Sequence, residues 1–178
     1  RKGINTTFAL AVGDATVLRF SYEYFDYDRV ADRGIPSFEG RPFRTVESTF
    51  FGNPDQSPTN ATVNQGSVTI DHAINDNLRL RNRTVYADFD KFYQNVFAGG
   101  AVDVATGLVQ LSAYNAEQLR ENIFNQTDLT FSAETGSIGH EFLVGAELGE
   151  QTTENLRMTG LFNGTDTALF VPASDPRV

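Results

Sequence analysis

The sequence predicts an all-β chain: an antiparallel up-and-down meander of about six strands, with short turns on one side and long loops on the other, forming part of a transmembrane β-barrel. Three observations carry this expectation. Apolar and polar residues alternate with period two in several segments. The segments come in pairs joined by tight turns. The pairs are then separated by connections of about thirty residues, far longer than the turns.

The clearest alternation covers residues 16–26, where Leu18, Phe20, Tyr22 and Tyr24 share one face and Arg19, Ser21 and Glu23 the other. One apolar face at period two is the pattern of a strand, and its length is what a tilted strand needs to cross a bilayer, about 9–11 residues. Residues 7–12 make its partner across the turn Gly13-Asp14-Ala15. A second pair covers 66–73 and 78–90 around Asn75-Asp76-Asn77. Here Val68, Ile70, Leu78 and Leu80 alternate with Thr69, Asp71, Arg79, Arg81 and Arg83. A third covers 123–133 and 138–148 around Glu134-Thr135-Gly136-Ser137. Its second strand sets Phe142, Val144 and Leu148 against Glu141, Gly145 and Glu147. No segment has the period of a long helix.

Three long connections follow: 27–65, 91–122 and 149 onward. Within the second, 101–113 reads as a small hairpin turning at Ala105-Thr106-Gly107. Alternation by itself fits a soluble β-sandwich-like binding module recognising carbohydrate or protein just as well, with the stripes facing each other in a core. The asymmetry of the connections favours the barrel, whose short turns lie at one rim and long loops at the other. On that reading the lipid face carries Leu18, Phe20, Tyr22, Val68, Ile70, Leu80, Phe142, Val144 and Leu148. The lumen face carries Arg19, Glu23, Asp71, Arg79, Arg81, Arg83, Glu141 and Glu147.

Composition narrows the function. With 23 acidic against 14 basic residues the net charge is -9, the wrong sign for a nucleic-acid partner. The absence of Cys removes disulfides, thiolate metal sites and cysteine nucleophiles. No apolar run is long enough for a transmembrane helix, and the start Arg1-Lys2-Gly3-Ile4-Asn5 lacks the apolar core of a signal peptide. An exported barrel would therefore contain this sequence as a mature or internal piece.

Several strings resemble the barrel region of TonB-dependent siderophore receptors. They are Leu18-Arg19-Phe20-Ser21-Tyr22-Glu23-Tyr24-Phe25 with Asp28-Arg29-Val30-Ala31-Asp32-Arg33-Gly34-Ile35-Pro36-Ser37, then Phe50-Phe51-Gly52-Asn53-Pro54-Asp55-Gln56-Ser57, then Leu80-Arg81-Asn82-Arg83-Thr84-Val85-Tyr86-Ala87-Asp88-Phe89-Asp90-Lys91-Phe92-Tyr93, and Asn125-Gln126-Thr127-Asp128-Leu129-Thr130. The resemblance implies a bacterial outer-membrane receptor that binds a ferric siderophore in its extracellular loops and imports it. It also implies coupling to the energy-transducing protein TonB through a plug domain, and a barrel wall in contact with outer-membrane lipid. Such barrels have about 22 strands. The strands here amount to roughly a quarter of one, with no plug-like segment visible, so residues 1–178 are expected to form a single barrel segment.

Two constellations could meet such a ligand. Arg79, Arg81 and Arg83 lie ~7 Å apart along one strand face, a cationic ladder that would attract an anionic ferric chelate. The plainer role for them is pairing with Asp71 or Glu23. The second constellation is the loop aromatics Phe38, Phe43, Phe50, Phe51, Phe92, Tyr93, Phe97 and Tyr114, with Arg33 or Arg44 beside them. These could stack on the chelator or simply pack the loops together. The expected ligand-binding set is Arg33, Arg79, Arg81, Arg83, Phe51, Phe92 and Tyr93.

Other groups point nowhere in particular. Asp26, Asp28 and Asp32 lack the spacing of a calcium loop, and His72 and His140 sit on apolar stripes. There is no nucleophile elbow, P-loop or dinucleotide fingerprint, so no enzymatic activity and no resident cofactor or metal are expected. The sequons at Asn82 and Asn125 fall inside strands.

Overall fold

The computed structural model describes residues 1–178. Its strands are β1 (Lys2–Val12), β2 (Thr16–Val30), β3 (Ser37–Phe38), β4 (Arg41–Pro42), β5 (Pro58–Asn75), β6 (Leu78–Ala98), β7 (Leu108–Thr135), β8 (Ile138–Thr159) and β9 (Leu169–Pro172). Six of them form the path β1-β2-β5-β6-β7-β8, β9 adds to β7, and β3 and β4 make a separate hairpin. Consecutive long strands are neighbours throughout, so the antiparallel meander is as expected. β1 and β8 are not paired with each other, so the sheet is not closed.

Strand lengths depart from expectation. β5 starts at Pro58 rather than 66, β6 runs to Ala98 rather than 90, β7 starts at Leu108 rather than 123, and β8 continues to Thr159 rather than 148. Much of what reads as long loop is therefore sheet. The reason is physical: ladder hydrogen bonds set the length of a strand, whereas period-two hydropathy shows only where one face lies in an apolar medium. A stretch such as Asn115-Ala116-Glu117-Gln118 has no apolar face yet lies within β7. The expected hairpin in 101–113 has its turn, with Gly107 N donating to Asp103 O at 2.8 Å, but only its second arm is strand. Asp76-Asn77 and Gly136-Ser137 also turn in fewer residues than expected; Gly136 has φ 64°, which its missing Cβ permits.

The contacts divide the chain into two compact units. One comprises 1–26, 62–89 and 119–153; the other comprises 27–61, 90–118 and 154–178.

In the first unit the two strand faces are chemically distinct. The β1–β2 register places Phe8 opposite Phe20, Leu10 opposite Leu18 and Ile4 opposite Tyr24. The ring of Phe131 stacks on that of Phe142 across β7 and β8, at 6.4 Å. These side chains are open: Phe8 is 70% exposed, Val144 72% and Leu148 77%. Burying a side chain of this kind is worth about 1.5–3 kcal/mol, so a stripe this large left to water would be a strong driver of association. The two histidines stay within it, His72 Nδ1 lying 2.8 Å from Thr16 Oγ1 and His140 stacking on Phe142. The opposite face is polar. Asp71 pairs with Arg19 and lies 3.7 Å from Arg81, while Asn5 donates to Glu23 and Thr7 meets Ser21.

The second unit has a conventional core. Phe51, Val102, Val109, Leu111, Val171 and Ala173 are buried, with Ile35, Phe38, Phe43 and Phe162 packed on them. β9 contributes through its pairing with β7, Val171 lying opposite Val109. The rings of Phe38, Phe43 and Phe51 meet edge to face at 6.0 and 6.3 Å. Gly52, at φ 137°, bridges to both Phe97 and Arg177; a Cβ there would run into the carbonyl of Val96.

Candidate functional site

The second unit gathers cationic and aromatic groups into one cluster. Tyr93 and Phe97 lie on β6, Tyr114 on β7 and Arg157 on β8. On each strand alternate residues share a face, so Tyr93 and Phe97 project together. The Tyr93 and Tyr114 rings are 5.4 Å apart, and Phe97 meets Tyr114 edge-on at 5.7 Å. Arg157 lies over Tyr114 at 4.0 Å. Arg33 lies over Phe97 at 3.9 Å and reaches Tyr114 at 6.0 Å.

Arg33 reaches this place because its loop is pinned at both ends. Asp32 Oδ1 accepts from Gly34 N at 2.8 Å, an Asx turn completed by Gly34 at φ 81°. Just before it, Ala31 N donates to Ser57 O, and Ala31 O accepts from Asn95 Nδ2 at 2.6 Å. Asn95 and Ser57 are both completely buried, and Ser57 Oγ accepts from Val96 N while donating to Asn53 O. Two short polar side chains thus tie the start of the β2–β5 connection to β6.

Such an arrangement offers two guanidinium groups above electron-rich ring faces. Each cation–ring contact is worth about 0.5–1 kcal/mol where exposed and about 2 where desolvated. The rings fix the orientation of the guanidiniums and leave their N–H edges free for an anion. A planar aromatic anion could meet cations and ring faces at once.

The expected site residues divide. Arg33 and Tyr93 are brought together, and Phe97 and Tyr114, singled out with them among the aromatics, join the cluster. Phe51 is not at a surface: it is 3% exposed in the core of its unit, where packing the loops is its role. Phe92 lies next to Tyr93 and so projects from the other face of β6; its carbonyl accepts from Thr59 Oγ1 at 3.2 Å. Arg79, Arg81 and Arg83 belong to the first unit. Of these, Arg81 faces Asp71, as the plainer reading has it, while Arg79 and Arg83 form no ion pair. Arg157 and Asn95 are the residues that sequence reasoning missed. The signal for Asn95 is a carboxamide on the same strand face as the rings of Tyr93 and Phe97. Arg157 gives none.

The fold and this cluster define a class: a stretch of antiparallel outer-membrane-type barrel wall with a cation–aromatic patch on its extended strands. In sequence, the chain is similar to siderophore receptors in particular. It is 27% identical over 162 residues to the probable TonB-dependent siderophore receptor PiuA of Acinetobacter baumannii, a stretch covering 86% of this chain and 22% of that receptor. It is 26% identical over 178 residues to the catecholate siderophore receptor Fiu of Escherichia coli K12, covering 87% of this chain and 23% of Fiu. The chain thus spans less than a quarter of the length of these curated relatives. In fold, it superposes on the crystal structure of PiuA with a TM-score of 0.82 at 23% identity, over 98% of this chain and 28% of that one. The ferric preacinetobactin receptor BauA from Acinetobacter baumannii gives 0.80 at 13% identity, over 98% and 26%. No protein-family model matches. The resemblance to TonB-dependent siderophore receptors and the barrel-wall fold are both borne out, and nothing in the comparisons supports the β-sandwich alternative.

Proposed function

We propose that this chain is part of the wall of an outer-membrane receptor that binds a ferric siderophore and imports it with energy supplied through TonB and a plug domain. The apolar stripe bearing Phe8, Phe142, Val144 and Leu148 faces lipid. The polar face bearing Arg19, Asp71 and Arg81 lines the lumen. The chain then acts by binding and conducting, without catalysis, and its location is the bacterial outer membrane.

One observation carries the reading: Arg33 and Arg157 are held over Phe97 and Tyr114, with Tyr93 beside them. A ferric tris-catecholate is an anion whose charge lies on oxygen atoms at the edges of flat rings. Guanidinium N–H groups would donate to those oxygens while Tyr93 and Tyr114 stack on the rings. Arg79 and Arg83, unpaired on the polar face, would add long-range attraction along the lumen. The names of the relatives, which include a catecholate siderophore receptor, agree with this chemistry.

The test is to titrate the chain, folded in detergent, with a ferric catecholate and with its iron-free chelator, following tyrosine fluorescence. Saturable quenching by the ferric form, weakened in Arg33→Ala and Arg157→Ala, is the expected result. Equal quenching of wild type and both variants would mean that the cluster does not hold the ligand.

A further inference from the structure

A second cavity lies in the same unit, and its chemistry is unlike that of the arginine cluster. Its volume is about 470 Å³, within the range of small-molecule sites. Gln94, Asn115 and Met158 line it, each next in sequence to a member of the cluster (Tyr93, Tyr114, Arg157), so these three project from the opposite face of their strands. Asn53 and Gln56 from the β2–β5 connection and Phe162 after β8 also line it. No lysine, arginine, histidine, aspartate or glutamate side chain lines this cavity.

Four carboxamides are thus drawn together, and the protein satisfies only part of their capacity. Asn53 Oδ1 accepts from the backbone of Asp55 and Gln56, and Gln94 Nε2 donates to Gln56 O at 3.1 Å and Gln56 Oε1 at 3.3 Å. That leaves Asn53 Nδ2 and Gln56 Nε2 as donors and Gln94 Oε1 as an acceptor. Asn115 Oδ1 is buried with no partner at all. That oxygen has no accessible surface, so Asn115 would meet a ligand through its Nδ2 donor instead. Three donors and one acceptor suit a pair of neighbouring hydroxyls, which together can take three hydrogen bonds and give one. The apolar walls at Met158 and Phe162 suit the C–H face of a sugar ring. An anionic chelate finds no cation here.

We propose that this cavity binds one neutral pyranose ring, carried either by a free sugar or by the head of a glycolipid. The assignment is independent of the siderophore reading. The test uses the whole chain in phosphocholine micelles free of glycoside detergent, with saturation-transfer NMR as the readout. Methyl glucopyranoside and methyl galactopyranoside probe the free sugar, and an alkyl glucoside partitioned into the micelle probes the lipid-borne one. Saturable transfer to a methyl pyranoside supports the proposal with free sugar as the source; transfer only to the alkyl glucoside supports it with a glycolipid as the source. In either case Asn115→Leu and Gln94→Leu should each weaken binding at least about tenfold. Arg157→Ala should leave it unchanged, and ferric-chelate quenching should survive Asn115→Leu. Gln56→Ala, at an exposed loop position, gives the same reading without risk to folding. Transfer to none of the probes, or transfer that survives all three carboxamide substitutions, overturns the proposal.

Discussion

Arg157 and Asp103 show what individual side chains contribute. Arg157→Ala removes one of two cations above the aromatic cluster and should weaken ferric-catecholate binding about tenfold; Arg157→Lys should restore only part, because an ammonium over Tyr114 lacks the planar fork of donors that a guanidinium offers. Titration of the wild type and both variants checks this. Asp103 Oδ1 accepts from Thr106 Oγ1 and N, both at 2.7 Å, and from Ala105 N at 3.0 Å. The Thr106 side chain first, then these backbone donors, hold the carboxyl below the usual carboxylate range. A depressed folded-state value means that the turn gains stability above the ordinary carboxylate pKa and loses it as pH falls through the lowered one. Protection of the Ala105 and Thr106 amides, measured against their intrinsic exchange at each pH, should therefore fall on acidification through the carboxylate range, and Asp103→Asn should remove that dependence. At this scale the sequence was half legible. A cation near aromatics marked Arg33 and Tyr93, but Phe51 looks the same on paper whether it stacks on a ligand or fills a core. Arg157 lay in a stretch read as loop, where no strand pattern assigns it a neighbour.

Between elements, the β6–β7 pairing holds a feature that hydropathy conceals. Asn82 and Asn125, which read as accidental sequons, donate to each other at 3.1 Å; Asn82 also donates to Thr127 and Asn125 to Thr84, both at 2.7 Å. Each amide is satisfied by the other strand, so the pair fixes register at little cost in polarity. Asn82→Leu alone should destabilise the sheet by about 1–3 kcal/mol, because it leaves Asn125 Oδ1 and Thr127 Oγ1 without their donor. The double change to Leu should cost less than the sum of the singles. Chemical denaturation in detergent measures both. On β7 and β8, the Phe124 ring lies where a Cβ at Gly149 would go. Gly149→Val should therefore displace that ring and lower stability by about 1–3 kcal/mol. Alternation located all six long strands but not their ends, since beyond the apolar stripe the ladder continues on residues such as Asn115 and Glu117 with no hydropathy signal.

At the scale of the whole molecule, the division into an apolar and a polar face matters more than any one contact. The ion pairs of Asp71 are partly exposed and worth at most about 1 kcal/mol each, whereas each large side chain of the stripe is worth more once covered. Fold class was legible because a one-sided apolar stripe writes period two directly into the sequence, and the turn-and-loop asymmetry favoured the barrel over a sandwich. Val144→Arg and Phe142→Arg should each destabilise the detergent- or lipid-folded chain by about 2–4 kcal/mol if they sit near the bilayer midplane. Glu141→Arg, on the polar face, should be close to neutral.

The absence of native cysteine makes the central claim directly accessible. Single cysteines placed in turn at positions 141 to 148 of β8, spin-labelled in lipid bilayers, would report exposure to oxygen dissolved in lipid and to a water-soluble nickel chelate. The barrel-wall account predicts oxygen access peaking at 142, 144, 146 and 148 and nickel access at 141, 143, 145 and 147, a period of two. Equal access of the chelate along the whole series would contradict it.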